Sequence, residues 1–176
     1  EVLPPDINES FAPFSVVPAK DGEDAKIRFG LTTIKNFGEG IAKSIVDERK
    51  KNGEYTSLSN FLKRIKDKNL NKKSLESLIK TGAMDIFGDR NLLLHNLDRL
   101  LQFNKEETKD NGDQSSLFAG TNEIKTTEIK LEQAENASQA DKLMWEKELL
   151  GIYVSGHPLD AHVSVTKKAV LNISKI

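Results

Sequence analysis

The sequence predicts a mainly α-helical protein with a small N-terminal β-hairpin and a long polar linker. Three observations support this fold class. Apolar residues recur at helical spacing between about residues 31 and 101, two short β-type runs precede them, and an acidic stretch with few apolar residues follows. The length of 176 residues and the hydrophobic fraction of 37% fit one medium domain with a modest core and tails.

The chain divides into four expected parts. Residues 1–30 should form an extended leading segment and a β-hairpin, and residues 31–103 a helical body. Residues 104–137 should form a flexible linker, because a stretch with nine Asp and Glu between 103 and 141 and scattered apolar residues buries too little surface to become ordered. Residues 138–176 should hold a helix and a turn that lead to a further domain, and the structure of 163–176 stays undecided.

Local signals place each element. Pro4-Pro5 forces an extended start, and the runs 14–17 and 26–29 flank a polar turn, which indicates a hairpin. Five helices should follow in the body: a short one at 31–37, one through Ile41 to Val46, one from Leu58, one after Asn71 that ends before Thr81, and a longer one from Asp89 to Asn104. Their expected ends are an N-cap at Thr56 or Ser57, an N-cap at Asn71 and a C-cap at Gly53; Ser138 with Asp141 forms a capping box for the last helix.

Composition excludes some classes of protein. With no cysteine, disulfides and thiolate metal sites are excluded, and no apolar run approaches the roughly 20 residues of a membrane span. No signal peptide is visible and the chain lacks a starting Met, so we expect a piece of a longer cytoplasmic protein. Between Lys20 and Lys80 there are fifteen Lys and Arg against nine Asp and Glu. This basic block indicates either an anionic partner or simply solvated helix faces.

One motif in the basic block resembles the helix-hairpin-helix. Asn36-Phe37-Gly38 stands at its Gly-hydrophobic-Gly core, with Ala42 at the position of its Ala. Asn replaces the first Gly, which is tolerable because Asn accepts left-handed backbone dihedrals most readily after Gly. In such a motif a tight turn and a helix N-terminus present backbone N–H groups to a phosphate. The expected contacts with duplex DNA come from Lys35, Asn36, Phe37, Gly38, Gly40 and Lys43.

A weaker copy of the motif is expected between Leu75 and Asp85, with Thr81 and Gly82 in its turn as further DNA contacts. Two such hairpins would embrace both strands of a duplex through the backbone, without reading bases. An ordinary packed corner between helices stays open as the alternative for the first motif.

A short peptide in the acidic linker carries the second candidate site. Gln114-x-x-Leu117-Phe118 matches the motifs by which bacterial replication proteins grip the ring-shaped sliding clamp. Leu117 and Phe118 would fill an apolar pocket and the Gln114 amide would bond its rim. The affinity should be about micromolar, because ordering the peptide offsets much of the gain.

An ordered series of segments resembles one family over most of the chain. These segments are 2–8, 27–31, 75–83, 114–118 and 146–159, the last including Gly151-Ile152-Tyr153 and Gly156-His157-Pro158. The chain is similar to the clamp-binding region of the alpha subunit of the bacterial replicative DNA polymerases of type III. The resemblance implies a role in positioning duplex DNA and in tethering the polymerase to the sliding clamp, with the remainder of the polymerase as a further partner and its active site elsewhere.

No catalytic set, metal site or cofactor is expected in these residues. The spacing of His157 and His162 is unusual for a metal site, and Glu146 with Glu148 fits a solvated helix face. Two other functions stay open: a DNA-binding accessory domain of a repair enzyme, and a purely structural spacer.

Overall fold

The fold is a small helical body with a three-stranded sheet at its N-terminal end. A computed structural model describes residues 1–19, 22, 24–109 and 129–162. The α-helices of these residues are α1 (Glu39–Asn52), α2 (Leu58–Arg64), α3 (Lys72–Lys80), α4 (Arg90–His95), α5 (Leu97–Lys109) and α6 (Gln139–Leu149). Short 3-10 helices lie at Leu31–Thr33, Asp85–Phe87 and Pro158–His162. The mainly helical fold class is confirmed.

The sheet contains the expected hairpin and one additional strand. Strands β2 (Ser15–Val17) and β3 (Lys26–Arg28) pair antiparallel, as predicted. Strand β1 (Val2–Leu3) pairs with β3 in parallel, so the order is β1-β3-β2. The prediction of a merely extended start was therefore incomplete. A two-residue strand has no periodicity that the sequence could reveal, and it forms because β3 offers it an open edge.

The predicted helix caps are confirmed. The Ser57 hydroxyl accepts a hydrogen bond from the Asn60 N–H, and the Asn71 side chain accepts one from the Ser74 N–H. Gly53 ends α1 with a φ of 80°, and the Ser138 hydroxyl accepts from the Asp141 N–H at the start of α6. Each cap satisfies backbone groups that a helix end leaves unpaired, and so fixes where the helices begin and end.

The helices bury one continuous apolar core. The predicted helical stripes supply most of it. Its fully buried members include Leu31, Ile34, Ile41, Ile45, Phe61, Leu62, Leu75, Leu78, Ile79, Leu93 and Leu100. The leading segment adds Ile7, whose N–H donates to the Ala83 carbonyl at 3.0 Å. This contact ties the start of the chain to the turn after α3.

The longer helix predicted from Asp89 is wrong in two respects. Asp89 does cap it, but the helix is interrupted at Asn96, and α5 continues to Lys109. Asn104, expected to end the helix, is buried and donates to the carbonyls of Leu62 and Ile65, both at 2.7 Å. A polar side chain that looked like a surface residue therefore holds α5 against the end of α2.

Residues 129–137, here called the strap, have no regular secondary structure and lie along α4 and α5. Asn96 donates to the Glu132 carbonyl and accepts from the Glu132 N–H, both at 2.8 Å. The Asp89 carboxylate accepts from the Ala137 N–H, and Asn91 donates to the Glu135 carbonyl, again at 2.8 Å. The C-terminal part of the predicted linker is thus docked on the helical body. In the part of the chain that the structure describes, no helix is long and apolar enough to cross a bilayer.

Candidate nucleic-acid interface

A tight turn joins the first 3-10 helix to α1. The Phe37 N–H donates to the Ile34 carbonyl at 3.1 Å, and Asn36 has a φ of 66°. In the described part of the chain, Asn36 is the single non-glycine residue that has a positive φ. The expectation that Asn36 takes the left-handed conformation in place of Gly is confirmed.

The N-terminus of α1 is open to solvent. Gly38 is its N-cap and supplies no side-chain hydrogen bond, so the first N–H groups of the helix lack a cap. Gly38 has a φ of −75°, which any residue can adopt, and a Cβ built on it would meet nothing within 4 Å. The fold itself therefore does not require glycine here, whereas close approach of a ligand to the backbone would.

The residues expected to contact DNA fall into two groups around this turn. Most are exposed: Lys35, Asn36, Gly38, Gly40 and Lys43. The side chains of Lys35 and Lys43 have no ion-pair partner among the described residues. Phe37, in contrast, is buried in the core. Its expected role as a contact is corrected: Phe37 anchors the turn from inside.

The weaker copy expected after Leu75 is not an exposed hairpin turn. Thr81 is fully buried, and its hydroxyl donates to the carbonyls of Ser77 and Leu78. Gly82 is also buried, and a Cβ built on it would lie 2.4 Å from the Arg90 guanidinium. Thr81 and Gly82 therefore have no surface to offer DNA, because Arg90 packs into the space that the sequence motif left open.

A second turn, before α3, shares part of the pattern of the first, although its Asn69 lacks the positive φ of Asn36. The Leu70 N–H donates to the Asp67 carbonyl at 2.9 Å, the same three-residue step as from Phe37 to Ile34. Leu70 is buried as Phe37 is, and Asn71 occupies the N-cap position of α3 as Gly38 occupies that of α1. At steps of three, four, seven and eight from each cap the side chains are buried, namely Ile41, Ala42, Ile45 and Val46 in α1 and Ser74, Leu75, Leu78 and Ile79 in α3.

The signal for this second turn was present in the sequence. Asn69-Leu70-Asn71 parallels Asn36-Phe37-Gly38 with its central apolar residue and its following helical stripe. No glycine marks this second turn, because α2 ends without a glycine and the Asp67 side chain holds the turn instead. The Asp67 carboxylate accepts from the Asn69 N–H at 2.8 Å.

The two turns lie side by side. The Ser44 hydroxyl of α1 donates to the Asp67 carboxylate at 2.7 Å, and a Cβ on Gly40 would meet the Asn69 amide at 3.9 Å. The Asn69 N–H and the Ser44 hydroxyl hold the pKa of Asp67 below its ordinary value, so this link persists as an anionic one. The second turn adds exposed lysines at positions 66, 68, 72 and 73.

The helices that follow the two turns differ in their caps. At α3 the Asn71 side chain accepts from the Ser74 N–H, and the Ser74 hydroxyl accepts from the Asn71 N–H at 2.9 Å. At α1 no side chain performs this task. The first N–H groups of α1 therefore lack a side-chain cap and can bind an external anion beside the exposed Glu39, while the α3 turn mainly contributes positive charge.

Gln114, Leu117 and Phe118 lie outside the described residues. Among the described residues no group of His, Cys, Asp or Glu could hold a metal ion. His157 accepts from the Leu159 N–H at 3.2 Å and serves as a turn residue.

The fold and its turn define the class of protein. A family model described as a helix-hairpin-helix motif matches residues 1–93, more than half of the chain. The chain belongs to this helix-hairpin-helix family.

The resemblance to particular proteins extends over nearly the whole chain. The chain is 42% identical to the DNA polymerase III subunit alpha of Thermus aquaticus, over 99% of this chain and 14% of that protein. It is 40% identical to the same subunit of Borreliella burgdorferi, over 99% of the chain and 15% of the relative. With the Deinococcus radiodurans subunit the identity is 38%, over 99% and 13% respectively. The chain thus spans about one seventh of the relatives' length, and the resemblance to polymerase III alpha subunits is confirmed.

Proposed function

We propose that this chain is the part of a replicative DNA polymerase that holds duplex DNA by its sugar–phosphate backbone and carries a tether to the sliding clamp. The observation that carries the DNA half is the uncapped, open N-terminus of α1 beside Lys35 and Lys43. Its N–H groups and the helix dipole favour a phosphate oxygen, and the two ammonium groups add charge. Contacts of this kind fix the position of a duplex and do not depend on its sequence.

A salt-dependent titration with short duplexes of unrelated sequence tests the DNA half. The double variant Lys35→Gln, Lys43→Gln should weaken binding equally for all sequences and reduce the slope of log K against log salt by about 2, roughly 0.9 for each lost phosphate contact. The matched control is Lys50→Gln, Lys51→Gln, which removes the same charge at the other end of α1. Equal effects of the two pairs, or no binding at low salt, would contradict the proposal.

The clamp half of the proposal depends on the sequence of the linker peptide. The described residues on either side of this peptide belong to α5 and to the strap. Helix α5 ends at Lys109, and the strap begins at Ile129, whose N–H donates to the Ser59 hydroxyl. In the sequence, the peptide with Gln114, Leu117 and Phe118 stands between Lys109 and Ile129. An apolar pair flanked by polar residues suits weak, reversible binding in an apolar pocket of a partner.

Calorimetric titration of the whole chain with the sliding clamp tests the clamp half. Leu117→Ala with Phe118→Ala should abolish an affinity of about micromolar strength. Ser115→Ala with Ser116→Ala changes the neighbouring positions of the same peptide and should leave the affinity unchanged. If the Leu117 and Phe118 variant binds the clamp as tightly as the wild type, the tether does not use this peptide.

A further inference from the structure

The candidate DNA turn is held from a part of the chain that lies beyond the linker. The Lys35 N–H, within the turn, donates to the Leu149 carbonyl at 3.0 Å. Leu149 is the last residue of α6, and its side chain is buried. Helix α6 lies outside residues 1–93, the segment that matches the helix-hairpin-helix family. The turn of this chain is therefore completed by an element that the motif itself does not contain.

A buried carboxylate determines where α6 sits. Glu146 is 0% exposed, which corrects the expectation that it belongs to a solvated face. One carboxylate oxygen accepts from the Arg90 guanidinium at 3.1 Å, and the other accepts from the N–H groups of Val154 and Ser155 at 2.8 and 2.9 Å. Glu146 thus fixes α6 to Arg90 at the start of α4. It also holds the segment with Val154 and Ser155 against α6.

Arg90 extends this connection into the core. It is 3% exposed, donates to the Lys80 carbonyl at the end of α3, and pairs with Asp85 at 3.0 Å. Asp85 still compensates Arg90 when Glu146 is lost, but the Val154 and Ser155 N–H groups then lose their acceptor, so the contacts of Glu146 give α6 one preferred position. Leu149 lies three residues, or nearly one helical turn, after Glu146, so a displaced Glu146 also displaces the carbonyl that holds Lys35.

We propose that Glu146 is a positioning residue for nucleic-acid binding, which acts through Arg90 and the Leu149 carbonyl on the backbone of the turn at Lys35. The inference depends on the proposed DNA binding and adds that the site is assembled from both sides of the linker. Without the α6 contact the Lys35 N–H loses its acceptor, and the turn that presents the α1 N-terminus loses its fixed geometry.

The test compares Glu146→Gln with Glu148→Gln in the whole chain. Both changes remove one negative charge from the same helix, and Glu148 is exposed. On charge alone both variants should bind duplex DNA slightly more tightly than the wild type. If Glu146 positions the turn, Glu146→Gln instead weakens binding by about threefold to tenfold, while Glu148→Gln does not.

A second readout follows the turn without DNA. Amide hydrogen exchange at Lys35 should be about tenfold faster in Glu146→Gln than in Glu148→Gln, while exchange at the core amide of Leu75 stays within the change in global stability. Glu146→Asp keeps the charge and shortens the side chain, so it repeats the test should Glu146→Gln fold poorly, and it should also weaken binding and speed exchange at Lys35.

The outcomes separate the two claims. If the wild type does not bind duplex DNA, the proposed function fails, whatever the exchange at Lys35. If the wild type binds and Glu146→Gln only lowers the melting temperature, with duplex affinity equal to that of Glu148→Gln, Glu146 is structural alone and the positioning role is overturned.

Discussion

At the scale of single residues, Asn36 carries the backbone conformation on which the turn depends. Its φ of 66° costs an ordinary L residue about 1 kcal/mol or more, and costs Gly nothing. We expect Asn36→Ala to lower the free energy of unfolding by about 1 kcal/mol and Asn36→Gly to leave it unchanged or raised. Urea denaturation of the three proteins measures this. An alanine variant as stable as the wild type would mean that the turn does not require the left-handed conformation.

Glu146 gives a prediction about acid stability. Burial alone would raise the pKa of Glu146, but the N–H groups of Ser155 and Val154 and the Arg90 guanidinium hold it below its ordinary value of 4.5. Because the folded pKa is the lower one, the unfolded chain binds more protons in acid. The stabilisation is therefore complete above pH 4.5 and is lost as the pH falls through the folded pKa.

The difference between variants isolates this contribution. Urea unfolding from about pH 6 to pH 3 should show a shallower loss of stability for Glu146→Gln than for the wild type. Glu148→Gln should follow the wild type, since Glu148 is exposed on the same helix. Identical pH slopes for all three proteins would mean that the Glu146 carboxylate is not preferentially stabilised in the folded state.

Residues whose roles are local could be predicted, and residues whose roles depend on distant partners could not. Ser57 and Asn71 act on N–H groups three residues away, so their sequence neighbourhood predicts them. The burial of Glu146 depends on Arg90, 56 residues earlier. Nothing in the spacing of Glu146 and Glu148 distinguishes a buried carboxylate from an exposed one.

At the scale of elements, the strap depends on Asn96. This buried side chain bonds both the N–H and the carbonyl of Glu132, and it also interrupts the helix between α4 and α5. We expect Asn96→Ala to cost about 1–3 kcal/mol, because it leaves partly buried backbone groups unpaired. Amide exchange at Glu132 should rise, and proteolysis within 129–137 should become faster.

Gln102→Ala is the matched control for the strap. Gln102 lies on the exposed side of α5 and bonds Glu106 on its own helix. Its removal should change stability by less than about 0.5 kcal/mol and leave Glu132 exchange unchanged. Unchanged exchange at Glu132 in Asn96→Ala would show that the strap is held by other contacts.

The docking of the strap on the helical body could not be predicted from the composition of the sequence. Low apolar content predicted a continuous linker from 104 to 137, yet 104–109 are helical and 129–137 are docked. The docking uses backbone groups of the strap, which bond side chains of the helical body, together with Ile129 and Leu131, which pack against the core. Composition reports only the side chains that a segment could bury, so it cannot detect a segment bound by its backbone.

At the scale of the whole molecule, two turns that share a three-residue hydrogen-bond step are joined through Ser44 and Asp67, and α6 closes onto the first of them. Their arrangement places the open α1 N-terminus beside the lysines of the second turn. The fold class and the first turn followed from the sequence. The second turn was expected around Gly82, but Thr81 and Gly82 are buried. The exposed turn lies before α3, where the Asp67 carboxylate accepts a hydrogen bond from the Asn69 N–H and no glycine is present.

If the α1 N-terminus binds a DNA phosphate, Gly38→Asp should exclude that phosphate. An Asp N-cap should stabilise α1 by a few tenths of a kcal/mol, whereas its carboxylate should repel a phosphate. Ser57→Asp places the same charge at the start of α2, beyond the other end of α1. Duplex titration should show a loss of about tenfold or more for Gly38→Asp, with stability kept and a small effect of Ser57→Asp. Equal duplex affinity for Gly38→Asp and Ser57→Asp would contradict the claim.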